Sequence, residues 1–296
     1  MSSSKRPVVV AVPRGRTVRP ALKHAVVVGA PSASAYVLVH ALAADEAGAS
    51  EAQALHDLHR AEQQLRALAG PGAHITTRLV DGPVVAAVVR VAEDAELLVV
   101  QRRDRHDPER PVGRSTSCDL AARSHVPVVV VPEEHDDLGH DTVTVGIQAP
   151  EHSDVVLEEA MAAAAARGAR LRVVHGLWAA GGLGEYLVEQ STADRHLASA
   201  RAAVEAAIAR TRTRWPGVPV ELDVLRADPV DALLLESHHS DLLVVERHDP
   251  VLPVGSHLGS VADAVVRDAR CPVLVVAPTH RHRRSRSDRS AVAGNA

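Results

Sequence analysis

Short runs of consecutive apolar residues alternate along the chain with longer segments of mixed polarity. The clearest runs are rich in valine and occupy residues 97–100, 126–131, 242–245 and 273–276. A continuous apolar run of this length is typical of a strand that is buried on both faces, as in a parallel sheet covered by helices. The alternation of such strands with helical segments predicts an α/β fold.

The second half of the chain gives the more complete set of predicted elements. Pro150 and Glu151 mark the start of its first helix, and Gly168 marks the end, because glycine favours the left-handed conformation that often follows a helix. The predicted strands are 142–148, 170–175, 218–225, 242–246 and 273–277, and the predicted helices are 151–167, 185–213, 229–238 and 260–269. The first half has a similar pattern, except that its first helix is weak and carries Pro20.

The chain contains an internal repeat that spans about half of its length. The matched segments are 95–100 with 240–245 and 126–131 with 271–276, each pair offset by 145 residues. Nearer the start of the two copies, His40 matches His175 with an offset of 135, so the second copy has an insertion of about ten residues. A repeat of this length indicates a duplicated domain rather than a solenoid unit.

The repeat predicts two domains, at residues 1–133 and 142–278. Residues 134–141, with the preceding Glu133, are acidic and polar and are predicted to be a linker. Residues 279–296 lack apolar periodicity and are rich in arginine and serine, which predicts a basic, disordered tail.

Composition excludes several classes of protein. The chain of 296 residues has 33 basic and 37 acidic residues, a net charge of −4 and 46% hydrophobic content, which is a globular composition. With only four aromatic residues and no net positive charge, it lacks the stacking platforms and electrostatic attraction that nucleic-acid binding uses. The aromatic residues are Tyr36, Trp178, Tyr186 and Trp215.

The number of cysteines and the length of the apolar segments indicate the cellular compartment. Cys118 and Cys271 are too few for a disulfide framework and are expected to pack as small hydrophobic residues. The apolar residues near the start are too few for an export signal, and residues 25–44 are interrupted by glycine, proline, serine and histidine. We therefore expect a cytoplasmic protein without a membrane span.

The most distinctive motifs lie between residues 227 and 276. They are Ala227-Asp228-Pro229 before a helix, an apolar strand, Gly259-Ser260 at a helix start, and Cys271-Pro272 before the last strand. This order resembles the universal stress protein family in its tandem two-domain form, and the resemblance covers nearly the whole chain apart from the linker and tail. The alanine-rich composition, with arginine strongly preferred to lysine, is typical of a GC-rich, actinobacterial-like bacterium.

The resemblance implies a fold for each domain. This is a Rossmann-like, adenine nucleotide alpha hydrolase-like fold, with a doubly wound parallel sheet of five strands in the order 3-2-1-4-5. The resemblance also implies that strands 126–131 and 273–277 pair within one chain and form a pseudo-dimer. Such pairing covers an edge strand that would otherwise promote aggregation. Association of two chains into a homodimer is a further expectation.

The resemblance also raises the question of a nucleotide site. ATP-binding members carry a loop of the form G-x2-G-x9-G-[S/T] after the fourth strand and an Asp after the first. Glycine allows close backbone approach to phosphate, and a helix N-terminus favours anions. The three glycine positions hold Gln101, Asp104 and Arg114 in the first copy and Glu246, Asp249 and Gly259 in the second; the Asp positions hold Pro13 and Gln148.

These departures predict a degenerate nucleotide site. Carboxylates at Glu246 and Asp249 oppose a triphosphate, since like charges about 4 Å apart repel by about 4 kcal/mol at an effective dielectric constant of about 20. Gly259 and Ser260 remain as the candidate nucleotide contacts. A rearranged anion site would draw on the basic residues of the two loops, Arg102, Arg103, Arg105, Arg110, Arg247 and His248.

Both loops contain the pattern Arg-x-Asp, at residues 102–104 and 247–249. One interpretation is an ion pair that stiffens the loop or joins the two copies. The simpler interpretation, which we favour, is a solvated charged loop that contributes little to stability.

Other candidate chemistry is sparse. His40 and His175, at the ends of the second strands, are expected to cap the sheet edge rather than to catalyse. A metal site is disfavoured because adjacent histidines are poorly spaced as ligands; its members would be His238, His239, His248 and His257. Residues 178–186 are either a lid or, as we favour, a flexible connection. The arginines of the tail are either solvated or available to RNA, lipid or an acidic partner.

The sequence therefore predicts a non-catalytic stress-response protein that acts through protein contacts and needs no cofactor. The alternative is an ATP- or AMP-binding sensor that uses Gly259 and Ser260. Slow ATP hydrolysis is the least favoured function, because no base or metal ligand is evident. Neither a membrane nor a nucleic acid is an expected partner.

Overall fold

The computed structural model describes residues 6–29, 35–42, 49–103, 115–135, 139–177, 190–247 and 258–277. The strands in these ranges are β1 (Val8–Ala11), β2 (Ala35–Leu42), β3 (His74–Asp81), β4 (Leu97–Arg102), β5 (Val128–Pro132), β6 (Thr142–Gly146), β7 (Arg170–Gly176), β8 (Val220–Leu225), β9 (Leu242–Glu246) and β10 (Val273–Val276). The helices are α1 (Arg19–Gly29), α2 (Ala49–Ala69), α3 (Val84–Ala92), α4 (Thr116–Arg123), α5 (Asp154–Arg167), α6 (Gln190–Arg212), α7 (Pro229–Glu236) and α8 (Ser260–Asp268), with a 3₁₀ turn at Pro150–His152.

All ten strands join one continuous sheet in the order β3-β2-β1-β4-β5-β10-β9-β6-β7-β8. Strands β1 to β5 and strands β6 to β10 each form a parallel half with the order 3-2-1-4-5, which confirms the predicted α/β topology. We call these halves the first and second domains. Their strands run in opposite directions, so the carboxyl edge of each domain lies beside the amino edge of the other.

The two domains meet at an antiparallel pair formed by β5 and β10. Val128 lies opposite Val275, and Val130 lies opposite Val273. All four side chains are buried. The predicted intramolecular pairing of the last strands is therefore confirmed, and it leaves β3 and β8 as the outer strands of the sheet.

Helices cover both faces of the sheet and divide the core into two layers. Buried residues of α1, α2, α5 and α6 pack on one face, and those of α3, α4, α7 and α8 pack on the other. Successive strand residues serve opposite layers: Val8 and Val10 belong to the first layer and Val9 to the second. This alternation explains the continuous valine runs, because every position in a doubly covered strand is buried.

Local signals fix several helix ends. Gly168 has φ 63° and its N–H bonds back to the last turn of α5, as the sequence predicts. The Asp228 side chain accepts hydrogen bonds from the N–H groups of Val230 and Asp231 and so caps α7. The prediction of a helix from residue 151 is early by three residues, because a 3₁₀ turn closed by the Ser153 hydroxyl on the Pro150 carbonyl precedes α5.

The first helix of the first domain is better formed than its sequence suggests. It runs for 11 residues despite Pro20, because Pro20 lies in the first turn, where its missing N–H has no helical acceptor to lose. None of the helices that the structure describes is long and apolar enough to cross a bilayer.

Candidate functional site

The carboxyl edge of each domain is where a doubly wound fold places its ligand crevice. In the first domain this edge includes residues 12–18, which connect β1 to α1, and the end of β4. In the second domain it includes residues 147–153, the end of β9 and the start of α8. The two edges carry different side chains and hydrogen bonds, although the domains share one topology.

The β1–α1 connection of the first domain is held by a buried carboxylate. Asp57, on α2, is 2% exposed, and its Oδ2 accepts the N–H of Gly15 at 2.7 Å. Its other oxygen, Oδ1, accepts from the side-chain amide of Gln53 at 3.1 Å. Arg60 donates from Nη2 to the carbonyl oxygen of Arg16 at 2.6 Å. The N–H of Gly15, a donor on which an anion could bind, is thus already satisfied by the protein.

The end of β4 closes the same crevice from the other side. Gln101 donates from Nε2 to the carbonyl oxygen of Thr17 at 2.6 Å. The Arg16 guanidinium lies 3.2 Å from the carboxylate of Glu133. The connection after β1 is therefore fixed to both α2 and the ends of β4 and β5. The predicted first-strand position, Pro13, offers no side-chain donor or acceptor in this arrangement.

The second domain has different contacts at this edge. Gln148, the matching position after its first strand, is exposed, and Glu246 at the end of β9 is half-buried. Arg210 on α6 takes the place of Arg60: it donates to the carbonyl oxygen of Pro150 at 3.4 Å and pairs with Asp154 at 2.7 Å. No carboxylate corresponding to Asp57 binds the connection among the described residues of this edge.

Gly259 and Ser260 lie where α8 begins. Gly259 has φ 86° and ψ 152°, a conformation that is open essentially to glycine alone. It precedes Ser260, which is exposed in the first turn, and as the N-cap residue Gly259 supplies no side-chain cap. In the first domain, the corresponding α4 begins after Ser115 in an ordinary extended conformation, with its hydroxyl 2.6 Å from that of Ser117.

Two arginines connect the domains reciprocally. Arg102, the last residue of β4, is 5% exposed and donates to the carbonyl oxygens of Arg267 and Ala269 at the end of α8. Arg247, which follows β9, donates to the carbonyl oxygens of Ala122 and Ser124 at the end of α4, both at 2.8 Å. Each pair of matched residues differs by the 145-residue repeat offset, so the two contacts are equivalent.

The solvated-loop interpretation of the Arg-x-Asp pattern is therefore wrong for its arginines. Sequence alone does not show that the last turn of a helix from the other domain reaches the end of β4. A guanidinium there satisfies carbonyls that have no helical donor, and its charge complements the negative end of the helix dipole. The contact joins the two copies through carbonyl oxygens, while Asp104 and Asp249, the acidic members of the pattern, lie outside the described residues.

His40 and His175 bridge neighbouring strands at the two carboxyl edges. The Nδ1–H of His40 donates to the carbonyl oxygen of Val12 at 2.9 Å, and that of His175 donates to Ile147 at 2.7 Å. Both rings are buried, at 4% and 5% exposure. Each carbonyl follows the first strand of its domain, so the prediction that these histidines cap the sheet edge is confirmed.

Comparison with known proteins decides the family. The sequence model described as the Universal stress protein family matches residues 5–132 and again residues 139–277. The chain belongs to the universal stress protein family. A universal stress protein of Mycolicibacterium smegmatis is 30% identical over 237 residues, which cover 77% of this chain and 78% of the relative. One from Mycobacterium tuberculosis is 30% identical over 206 residues, covering 68% of each chain.

Solved structures share the tandem fold. A universal stress protein from Archaeoglobus fulgidus matches with a TM-score of 0.64 at 16% identity, over 92% of this chain and 96% of that one. A Pseudomonas aeruginosa protein described as functionally unknown matches with a TM-score of 0.66 at 16% identity, over 93% of each chain. Together with the double family match, they confirm the predicted tandem universal stress protein architecture, and the mycobacterial relatives agree with an actinobacterial-like source.

Several candidate residues from the sequence analysis lie outside the described parts of the chain. They are Asp104, Arg105, Arg110, Arg114, His248, Asp249, His257, residues 178–186 and the tail 279–296. Within the described ranges no three His, Cys, Asp or Glu side chains are arranged to hold a metal ion. Cys118 and Cys271 are both buried, as expected of small hydrophobic residues.

Sequence reasoning missed Asp57, which defines the closed edge of the first universal stress domain. A signal for it does exist. Asp57 lies in the helical stripe of Ala54, Leu58 and Ala61, which are all buried. A carboxylate inside such a stripe needs hydrogen-bond donors, because an unpaired buried charge is costly.

Proposed function

We propose that this universal stress protein acts in the stress response through protein contacts, as a non-enzymatic protein without a bound cofactor. The observation that supports this most directly is the hydrogen bond of 2.7 Å from the Gly15 N–H to the Asp57 carboxylate. The chain's own carboxylate holds the backbone donor after β1, so an incoming phosphate would have to displace it. Gln101, which replaces a glycine of the family pattern, adds a side chain at the same edge and bonds Thr17.

Charge opposes nucleotide binding in the second domain as well. Glu246 takes the first glycine position of the family pattern, immediately after β9. Gly176, at the end of β7, is tightly covered, because a Cβ there would lie 2.9 Å from Pro229 Cα. The turn at 227–229 therefore lies against the carboxyl end of β7 and leaves no room for a side chain at Gly176.

Thermal unfolding of the full chain with and without millimolar ATP and Mg²⁺ tests the proposal. We expect the unfolding temperature to stay unchanged. A ligand present at 100 times its dissociation constant adds about 2.7 kcal/mol to the free energy of unfolding, which shifts the temperature by several degrees. A clear upward shift with ATP contradicts a cofactor-free protein. Release of phosphate from ATP above the uncatalysed rate contradicts the proposal that the protein is not an enzyme.

A second candidate function is an ATP- or AMP-binding sensor that uses the second domain. The observation in its favour is the start of α8, where the N-cap residue Gly259 has φ 86° and supplies no side-chain cap. Backbone N–H groups at a helix N-terminus attract phosphate. If this function holds, Ser260→Ala weakens ATP binding, while Ser115→Ala at the matching position of the first domain does not.

A further inference from the structure

A polar cleft lies at the amino edge of the second domain, beside the carboxyl edge of the first. It is found between the linker and the amino ends of β9 and β10, beside the end of α7. Its volume is about 260 Å³, slightly below the roughly 300–1,000 Å³ typical of pockets for drug-sized ligands. The described residues that line it are His135, His140, Ser237, His238, Ser240, Asp241, Arg270 and Cys271.

The floor of this cleft is satisfied by internal hydrogen bonds. The Ser237 hydroxyl donates to the carbonyl oxygen of Leu234 at 2.6 Å and accepts the N–H of Arg270 at 3.0 Å. The Ser240 hydroxyl donates to the carbonyl oxygen of Glu236 at 2.9 Å. These groups are therefore committed to the fold.

The one carboxylate in the wall is also committed. Asp241 accepts the N–H of His140 at 2.7 Å with one oxygen and the N–H of Thr142 at 3.1 Å with the other. Two N–H donors on one carboxylate weaken its repulsion of a nearby anion. Cys271 completes the wall, and burial raises the pKa of its thiol to about 12, which keeps it neutral.

The remaining wall residues are imidazoles and a guanidinium on three separate segments. His135 and His140 come from the linker, His238 from the turn after α7, and Arg270 from the turn before β10. The Arg270 side chain is exposed, and the structure records no ion pair for it among the described residues. His239 stands edge-on to His140, with ring centroids 6.3 Å apart.

We propose that this cleft binds a small tetrahedral oxyanion, such as sulfate or phosphate, through His140, His238 and Arg270. Guanidinium and imidazolium groups bond such anions with charge-assisted hydrogen bonds. The volume admits a small anion and is tight for a nucleotide. This site goes beyond the proposed function, because its lining includes neither Gly15 nor Gly259 and Ser260, although Arg270 also lines the adjoining cleft at the ends of β4 and β5.

The groups of opposite sign that face this region are Asp241 in the wall, and Glu133 and Glu134 in the adjoining cleft that shares Arg270. Glu133 is already paired with Arg16.

Calorimetric titration of the full chain with sodium sulfate, against sodium chloride of equal ionic strength, tests the site. We expect saturable binding of one sulfate per chain at about pH 6. Inorganic phosphate and phenyl phosphate, titrated in the same way, distinguish a free ion from a phosphate monoester as the preferred ligand.

Two variants locate the binding. Arg270→Met and His238→Gln should each weaken sulfate binding by about tenfold, the effect of losing one charge-assisted hydrogen bond. His238 is exposed, so its replacement leaves the fold intact. The matched controls are His196→Gln and Arg201→Met, at exposed positions of α6. Absence of saturation in the unmodified chain, or equal binding by both cleft variants and the controls, overturns the proposal.

Discussion

The Arg102 guanidinium lies 2.6 Å from the carbonyl oxygen of Ala269, 167 residues further along the chain and in the other domain. The equivalent contact joins Arg247 to Ser124. Together with the β5–β10 pair, these contacts tie the end of the fourth strand of each domain to the end of the last helix of the other. The domain interface therefore combines an apolar sheet with two polar contacts at its margins.

Replacing Arg102 by methionine should lower the free energy of unfolding by about 1–3 kcal/mol. The carbonyl oxygens of Arg267 and Ala269 would then lose a buried, charged donor, and that is the usual cost of leaving a buried polar group unsatisfied. Methionine retains an unbranched apolar stem in the space of the arginine. The midpoint of urea unfolding measures the effect.

The matched comparison is Arg247→Met, at the half-buried equivalent position. We expect a smaller loss there, because water reaches part of that side chain and replaces some of its bonds. Arg201→Met on the exposed face of α6 should change stability by less than about 0.5 kcal/mol. An unchanged midpoint for Arg102→Met would show that the interface does not depend on this contact.

Much of the fold is predictable from the sequence, because it depends on patterns that act locally. The valine runs at 97–100 and 242–245 become the inner strands β4 and β9, and the repeat offset predicts matching topology in the two domains. Helix ends are less predictable, as the 3₁₀ turn at Pro150–His152 shows. There the Ser153 hydroxyl and the packing of α5, rather than the proline alone, decide where the α-helix begins.

The candidate site is less predictable, because its contacts join residues far apart in the chain. Asp57 and Gly15 are separated by 42 residues, and Arg16 and Glu133 by 117. Motif comparison shows that the glycines of the family pattern are missing after β4. It does not show which side chains lie at that edge instead. The histidine pair is the exception: His40 and His175 share a place in the repeat, and each bonds a carbonyl 28 residues earlier.

Stability should fall as the pH drops below 6.5, in part through His24. This imidazole on α1 is 6% exposed, and its Nε2 has no hydrogen-bond partner within the described structure. Burial, with Arg167 on α5 and His135 in the linker as nearby positive groups, lowers the pKa of His24 well below its ordinary value of 6.5. The unfolded chain therefore binds a proton below pH 6.5 that the folded chain does not.

The sign of this effect is opposite to that of a histidine in an ion pair, because an acidic partner would raise the pKa of the imidazole. The contribution is fully present above pH 6.5 and is lost as the pH falls toward the folded pKa. Between about pH 7.5 and pH 5, the unmodified chain should lose about 2 kcal/mol more stability than His24→Leu, since one proton contributes about 1.36 kcal/mol per pH unit. Urea midpoints across this range measure the difference. His56→Gln, exposed on α2, is the control and should keep the full pH dependence.

Replacing Gly176 by alanine should destabilise the second domain by about 1–3 kcal/mol, the usual cost of overpacking. The new Cβ would lie 2.9 Å from Pro229 Cα and 3.1 Å from the Ala227 carbonyl oxygen, both backbone atoms that cannot rotate away. The turn would have to shift, and with it the Asp228 cap of α7. Gly217→Ala is the control, because nothing lies within 4 Å of its added Cβ. Equal urea midpoints for the two variants would contradict tight packing at Gly176.

The two cysteines should be unreactive until the protein unfolds. Burial raises the pKa of Cys118 to about 11 and that of Cys271 to about 12. Because the thiolate is the nucleophile, an aromatic disulfide reagent at about pH 7.5 should react at least about 100-fold more slowly with the folded chain than with the chain in urea. Absorbance of the released thiolate follows the reaction.

Single variants assign the two rates. Cys118→Ser leaves Cys271, which is 2% exposed, and Cys271→Ser leaves Cys118, which is 5% exposed. Cys118 lies on α4, and Arg247 bonds the end of that helix. Cys271 lies two residues before β10, the strand that pairs with the other domain. Reaction of both should therefore begin at the urea concentration that separates the domains. A thiol that reacts without denaturant at the rate of free cysteine would show that its burial is broken by motions of the native state, since slow reaction requires both the raised pKa and the closed interface.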